Sequence, residues 1–446
     1  MTSTLATRRR GSAAGWGLGV AVALMVLAMA VPAVTGWYVH VHSFPPLHAE
    51  WDPRTGPGSL PAVVLAVLLA QRAVDLADRM AWRWLLLWVF VAGLLWMLAL
   101  AYVDGSRGIG VVLDEQYEYL RTARATTDLH ATLEGYVDRI RQTAPHYWPT
   151  HVAGHPPGAL TFFVVLVRLG LGTGFRAGLV VTVVAATTAV AVLLTVRTLG
   201  AERLARRAAP FVAFAPAAVW QAVSADAVFA AVAAWGITCL AVAATRRDRL
   251  PATAWSVAAG LLLGYGVMMS YGLPLVGLLA VAVLVTARSW FPLPVAAVTA
   301  LAVVVAFGLF GFSYLDALPA IHDRYWDAIG GRRQPAYWMW ANLAALAFSA
   351  GPLAFAGFAH LGSRTRCYLR RPDTRVVAWL AGAGAAMVVA ADLSQMSKAE
   401  VERIWLPFVP WLLLSCALLP ERWRRRGVVL QLALALVVQH LLFTGW

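Results

Sequence analysis

Apolar runs near residues 15–37, 60–76, 84–103, 156–171, 177–198, 208–223, 227–245, 254–271, 273–287, 292–312, 340–360, 376–391, 405–419 and 428–444 alternate with short polar stretches along the chain. Most of them approach the ~20 residues that a helix needs to cross a bilayer. Backbone polar groups inside lipid must be satisfied within the segment, so each run is expected to be helical. The pattern predicts an all-α, polytopic integral membrane protein. No repeat, low-complexity linker or composition break divides it, so residues 1–446 form a single transmembrane domain. The run after Arg8-Arg9-Arg10 is long enough to span and is read as an uncleaved first helix.

One stretch breaks the pattern. Residues 104–155 form a polar island between apolar runs, and residues 115–143 within it mix polar and apolar positions as surface-lying amphipathic helices do. Shorter polar loops follow at 313–338 and 392–404.

Composition supports the membrane class, with 60% hydrophobic and 13% charged residues. The net charge of +14 would suit a polyanion partner if it were clustered. Instead the arginines sit in short loops: Arg72, Arg79 and Arg83; Arg203, Arg206 and Arg207; Arg246, Arg247 and Arg249; Arg288; Arg364 to Arg375; and Arg422 to Arg426. Such loops face the cytoplasm, so the charge reports orientation and no nucleic-acid partner is expected. The three polar loops then lie outside the cytoplasmic membrane. Counting 156–171 and 177–198 as two crossings would put Arg203 outside, so the pair is taken as one net crossing, which gives about 13 transmembrane helices. Lys398 is the only lysine, and the Ala, Val, Leu, Gly and Arg bias fits a GC-rich, actinobacterial genome. The unpaired cysteines Cys239, Cys367 and Cys416 read as small hydrophobic residues.

Candidate chemistry begins in the island. Asp114 and Glu115 follow an apolar helix, and a carboxylate at an outer interface can act as a general base or hold a divalent cation, Mg or Mn. The alternative is a solvated loop pair. His146, His151 and His155 precede Pro156-Pro157-Gly158, which opens the next apolar run; the prolines preorganise a first helical turn, and a histidine placed there can bond carboxylate or phosphate. The histidines lack the spacing of a zinc triad, so no metal ligands are assigned. Asp226 lies between two apolar runs, where a charge marks function or caps a helix. Lys398, Glu400, Glu402 and Arg403 precede an apolar helix start, as a phosphate clamp or as snorkelling charges. The loop with Arg332, Arg333, Tyr337 and Trp338 offers rings and guanidiniums for a sugar phosphate, or an aromatic belt. Gly330-Gly331 would let it close over a substrate.

This order of motifs resembles the GT-C glycosyltransferases, membrane enzymes that use lipid-phosphate-linked sugars, and within them the group of protein O-mannosyltransferases and the lipid A aminoarabinose transferase. The likeness rests on Asp114-Glu115, His155-Pro156-Pro157-Gly158, Gln221 to Asp226, and Glu402-Arg403 before Leu406-Pro407-Phe408-Val409-Pro410. It covers residues 84–420, with two extra N-terminal helices in 1–83 and a C-terminal helix in 421–446. The extra helices make Asp52 a rival to Asp114. The resemblance implies a polyprenyl-phosphate sugar donor and a lipid, glycan or protein acceptor, in cell-envelope glycan or glycolipid synthesis. It implies Asp114 as base, with Glu115 beside it, and Arg403 on the lipid phosphate. His151, His155, Asp226, Arg332, Arg333, Tyr337, Trp338, Lys398 and Glu402 would serve the substrates. The competing class is a transporter or flippase for a lipid-linked or anionic substrate, which would more often carry internal repeats.

Overall fold

The computed structural model describes residues 2–445, with side chains from residue 13 onward. Among these residues the architecture is helical, apart from one antiparallel pairing of Glu50–Trp51 with Leu442–Phe443. Eight helices are long and apolar enough to cross a membrane: Ala13–Thr35, Ser59–Arg79, Trp82–Asp104, Gly174–Thr198, Ala225–Thr245, Arg249–Val267, Pro292–Leu309 and Pro372–Leu393. Pro335–Ser349 and Pro352–Gly362 make a ninth if counted as one span, bent by 107°. The chain is a multi-pass membrane protein.

Eight or nine falls short of the expected thirteen because some apolar runs are broken, others form short helices such as Leu273–Ala287 and Val409–Leu418, and Glu421–Leu441 begins with a charged turn. The run at 340–360 breaks at Gly351, whose φ of +80° ends one helix before Pro352 starts the next. The run at 208–223 splits into Glu202–Ala213 and Ala218–Gln221 around Pro216. Pro157–Arg168 has 12 residues, about 18 Å of helix against a ~30 Å hydrocarbon core. It is followed by the 25-residue Gly174–Thr198 helix, so the two make one long and one short element.

The helices present apolar side chains outward. Pro292–Leu309 leaves Val298 at 68% and Leu301 at 61% exposure, as a lipid-facing helix does. Its inner side packs on Arg249–Val267, where a side chain on Gly260 or Gly264 would meet the carbonyls of Ala296 and Ala300 at 2.5 and 2.6 Å. Small residues four apart let the backbones approach, which is how helices associate in lipid.

Arginines gather at one end of the bundle. Arg206 donates to the carbonyl of Met80 at 2.7 Å and Arg207 to that of Leu419 at 2.7 Å. Arg424 grips Asp78 at 2.7 and 2.8 Å, and Arg203 reaches Asp373 at 3.4 Å. Arginine loops far apart in sequence are thus side by side, and they satisfy the last carbonyls of neighbouring helices.

The three polar loops meet at the other end. In the island, Tyr119–Ala125, Leu129–Glu134 and Thr150–Gly154 are short helices, joined by Tyr136 Oη to the Val152 carbonyl at 2.7 Å. The 313–338 stretch is itself helical, Tyr314–Asp327 and Ile329–Arg332, and Arg324 clamps it to the island through the carbonyls of Ile140 and Trp148. The expected hinge at Gly330-Gly331 is instead a close-packing point. A side chain on Gly330 would collide with the Tyr325 ring, one on Gly331 with the Trp326 carbonyl, and neither φ is positive.

Candidate functional site

Four chain segments bring their polar side chains to one point at this second end. Glu118 directly precedes the Tyr119–Ala125 helix. His151 lies on Thr150–Gly154. Asp226 is in the first turn of Ala225–Thr245, where Ser224 caps the helix by accepting from the Asp226 amide at 3.1 Å. Arg403 lies on the short Val401–Ile404 helix, entered through Glu400 at φ +60°.

Arg403 is the hub. Its guanidinium is 3.0 Å from Asp226, 3.2 Å from His151 Nε2, 3.7 Å from Glu400 and 3.9 Å from Glu118. His151 Nδ1 bonds Glu118 at 2.8 Å. Glu118, His151, Asp226 and Arg403 are all buried. A charge is tolerated at such depth only when paired. Burial works against the charge of Arg403, but Asp226, Glu118 and Glu400 outweigh it and raise its pKa. Burial likewise pushes Glu118 up, yet His151 and Arg403 hold it below the usual range.

A second layer surrounds the hub. Glu400 is 3.1 Å from Arg333, and this arginine opposes the effect of burial and brings the carboxyl down to about 2. Arg333 also donates to the carbonyls of Lys398 at 2.6 Å and His40 at 3.3 Å. Glu402, with no exposed surface, accepts the His48 amide at 3.0 Å on one oxygen, and its other oxygen has no hydrogen-bond partner. Burial raises this carboxyl to about 7.

A carboxyl raised on folding keeps a proton that the unfolded chain gives up between pH 4.5 and about 7, so stability declines as pH rises through that window. Glu402→Gln is therefore expected to match the wild type near pH 4.5 and to be more stable by about 3 kcal/mol at pH 8. Thermal unfolding in detergent across that range checks it; an equal difference at both ends would contradict the shift.

The Pro156-Pro157-Gly158 motif has a structural reason. The Gly158 amide bonds the Met268 carbonyl at 2.7 Å, and Tyr265 Oη bonds the Gly158 carbonyl at 2.9 Å, so this helix start is pinned to the end of Arg249–Val267. A side chain there would collide with the Met268 carbonyl. Gly158→Ala should destabilise the protein by about 1–3 kcal/mol, read as a lower unfolding temperature.

The remaining expected site residues fall as follows. Asp114 stands outside the cluster: Arg124 holds it at 2.7 and 3.1 Å, with Arg121 at 3.9 Å, and its side chain keeps 35% exposure. Glu115 and Asp52 are exposed. Arg332 is exposed, whereas Arg333 is buried. Tyr337 and Trp338, expected to stack on sugar, are fully buried against the first helix. Their polar atoms are spent on the carbonyls of Ala28 at 2.7 Å and Val39 at 3.2 Å, so both rings are packed into the protein interior. Lys398 is also turned inward, donating to the Gly330 carbonyl at 2.9 Å and lying 4.0 Å over the Trp326 ring. Among the described residues no group of three His, Cys, Asp or Glu is arranged to hold a metal ion.

Sequence reasoning missed Glu118 and His48, and named Glu400 only among the charges before the Trp405 run. Glu118 lies four residues beyond Asp114, across a turn, and directly before the apolar-facing Tyr119 and Leu120, both buried. His48 contacts Glu402 through its backbone, which no side-chain pattern reveals.

The sequence matches no family model and no curated protein. Among solved structures, the chain is similar to ArnT from Cupriavidus metallidurans in its apo state, at 20% identity and a TM-score of 0.46. The likeness covers 75% of this chain and 59% of that protein's length.

Proposed function

We propose that the chain is a GT-C-type glycosyltransferase, moving a sugar from a polyprenyl-phosphate donor to a hydroxyl acceptor by a single displacement. The observation that carries this is the meeting of Glu118, His151, Asp226 and Arg403, from four separate motif segments, in one buried cluster. A helical membrane protein gains little stability from burying so many ionisable groups, so the arrangement argues for chemistry.

Arg403 is held tightly by Asp226 at 3.0 Å and more loosely by Glu400 and Glu118 at 3.7 and 3.9 Å. A donor phosphate would take over the loose contacts, and the guanidinium would stabilise charge building on it as the sugar leaves. Asp226 and His151 fix its position. In a single displacement the acceptor oxygen attacks the anomeric carbon from the side opposite the leaving phosphate, so the base that takes its proton lies on that acceptor side. Asp114, outside the cluster and partly exposed, suits that acceptor side and would take the hydroxyl proton.

The proposed topology has thirteen crossings. The eight long spans and the bent pair are joined by Glu202 to Gln221, Leu273–Ala287, the broken stretch 401–418 and Glu421–Leu441. Pro157–Arg168 stays at the outer end. The arginine-rich end is then cytoplasmic and the cluster faces outward from the cytoplasmic membrane.

Purified protein supplied with radiolabelled polyprenyl-phosphate sugars and a membrane extract is expected to form a product inverted at the anomeric carbon. Retention of configuration would exclude single displacement.

A further inference from the structure

His155 has a second, unused nitrogen whose protonation state is fixed by its surroundings. Pro156 forces the residue before it into extended backbone, and His155 has φ −133° and ψ 153°. Its carbonyl accepts from Tyr136 Oη at 3.1 Å. The ring lies 5.4 Å from Phe229 and 5.9 Å, edge to face, from Tyr119. Nδ1 has two neighbours, the His151 carbonyl oxygen at 2.9 Å and Tyr119 Oη at 2.8 Å.

The carbonyl decides the tautomer. A bare Nδ1 would set its lone pair against the carbonyl lone pairs at 2.9 Å, whereas Nδ1–H makes a bond of ordinary length. The proton is therefore on Nδ1, shared between the carbonyl and Tyr119 Oη. Burial lowers the basicity of the ring, which stays neutral. In a neutral imidazole with Nδ1–H, Nε2 can only accept. Nε2 makes no hydrogen bond among the described residues, and the ring is only partly buried.

We infer that His155 Nε2 is a specificity-determining acceptor for one hydroxyl of the transferred sugar and does not contact the donor phosphate. An acceptor lone pair repels phosphate oxygens, whereas a sugar hydroxyl supplies the proton that it needs. This rests on the sugar-transfer reading above.

Two measurements test it. The ¹⁵N spectrum of histidine-labelled protein, with His155→Gln used to assign the signal, is expected to show a neutral, Nδ1-protonated ring at pH 7; an Nε2-protonated or cationic ring overturns the assignment. Transfer is then measured with a polyprenyl-phosphate-linked hexose and its monodeoxy analogues. His155→Asn keeps an N–H for the His151 carbonyl but has no acceptor at the Nε2 position, and should slow transfer roughly 10- to 100-fold. One deoxy donor should slow the wild type by a similar factor and cause no further loss in His155→Asn. Additive losses for every analogue overturn the hydroxyl contact. A wild type inactive on all donors overturns the transfer reading and the hydroxyl contact with it, while the spectrum still decides the tautomer.

Discussion

Arg403→Gln is expected to remove transfer and to cost the fold about 3–5 kcal/mol, because it leaves Asp226, Glu118 and Glu400 buried without their shared cation. Loss of activity through unfolding must be separated from loss of chemistry. Arg403→Gln combined with Asp226→Asn removes opposite charges together, so much of the stability should return. Transfer should stay at least about 10²–10³-fold down, the usual cost of losing a preorganised group at developing charge. Thermal unfolding and initial rates on the same preparations distinguish the two. A stable double variant with near-normal transfer would remove Arg403 from the chemistry.

Asp114→Asn should behave in the opposite way. The ion pair with Arg124 is partly exposed on both sides, at 38% and 35%, and such pairs contribute only about 0–1 kcal/mol. Folding should be nearly unchanged, while transfer drops by about 10²–10⁴ if Asp114 is the general base. Glu118→Gln is the informative partner, since Glu118 is the carboxylate four residues on that lies inside the cluster. Near-normal turnover in Asp114→Asn together with a folded, inactive Glu118→Gln would move the base to Glu118.

Much of the bundle was legible in the sequence because lipid is an undemanding solvent to read: long apolar runs become helices, and arginines collect at one end. What the runs do not encode is where a helix breaks inside them. Gly351 and Pro216 interrupt apolar stretches without changing their hydropathy, and they account for two of the apolar runs that do not become single helices of spanning length. The Pro-Pro-Gly start was visible as a motif, but its partner, the Met268 carbonyl, is a backbone atom over a hundred residues away.

The candidate site was legible in part. His151, Asp226 and Arg403 stood out because ionisable groups at the edges of apolar runs are expensive, and the structure brings them together. Aromatic residues misled for the same reason that they were noticed. Tyr337 and Trp338 look like a sugar platform in a polar loop, yet both rings are buried against backbone partners, Ala28 on the first helix and Val39 just after it. The roof of the site was invisible: residues 36–58 reach it through the backbone of His40 and His48.

The most direct test is to follow radiolabelled polyprenyl-phosphate sugar in proteoliposomes containing the purified protein and a membrane-extract acceptor. The account predicts that label leaves the polyprenyl phosphate for a new glycosidic product, and that Asp114→Asn and Arg403→Gln each stop it. Label that crosses the bilayer still attached to its polyprenyl phosphate, with no new bond formed, would contradict transfer and identify a flippase.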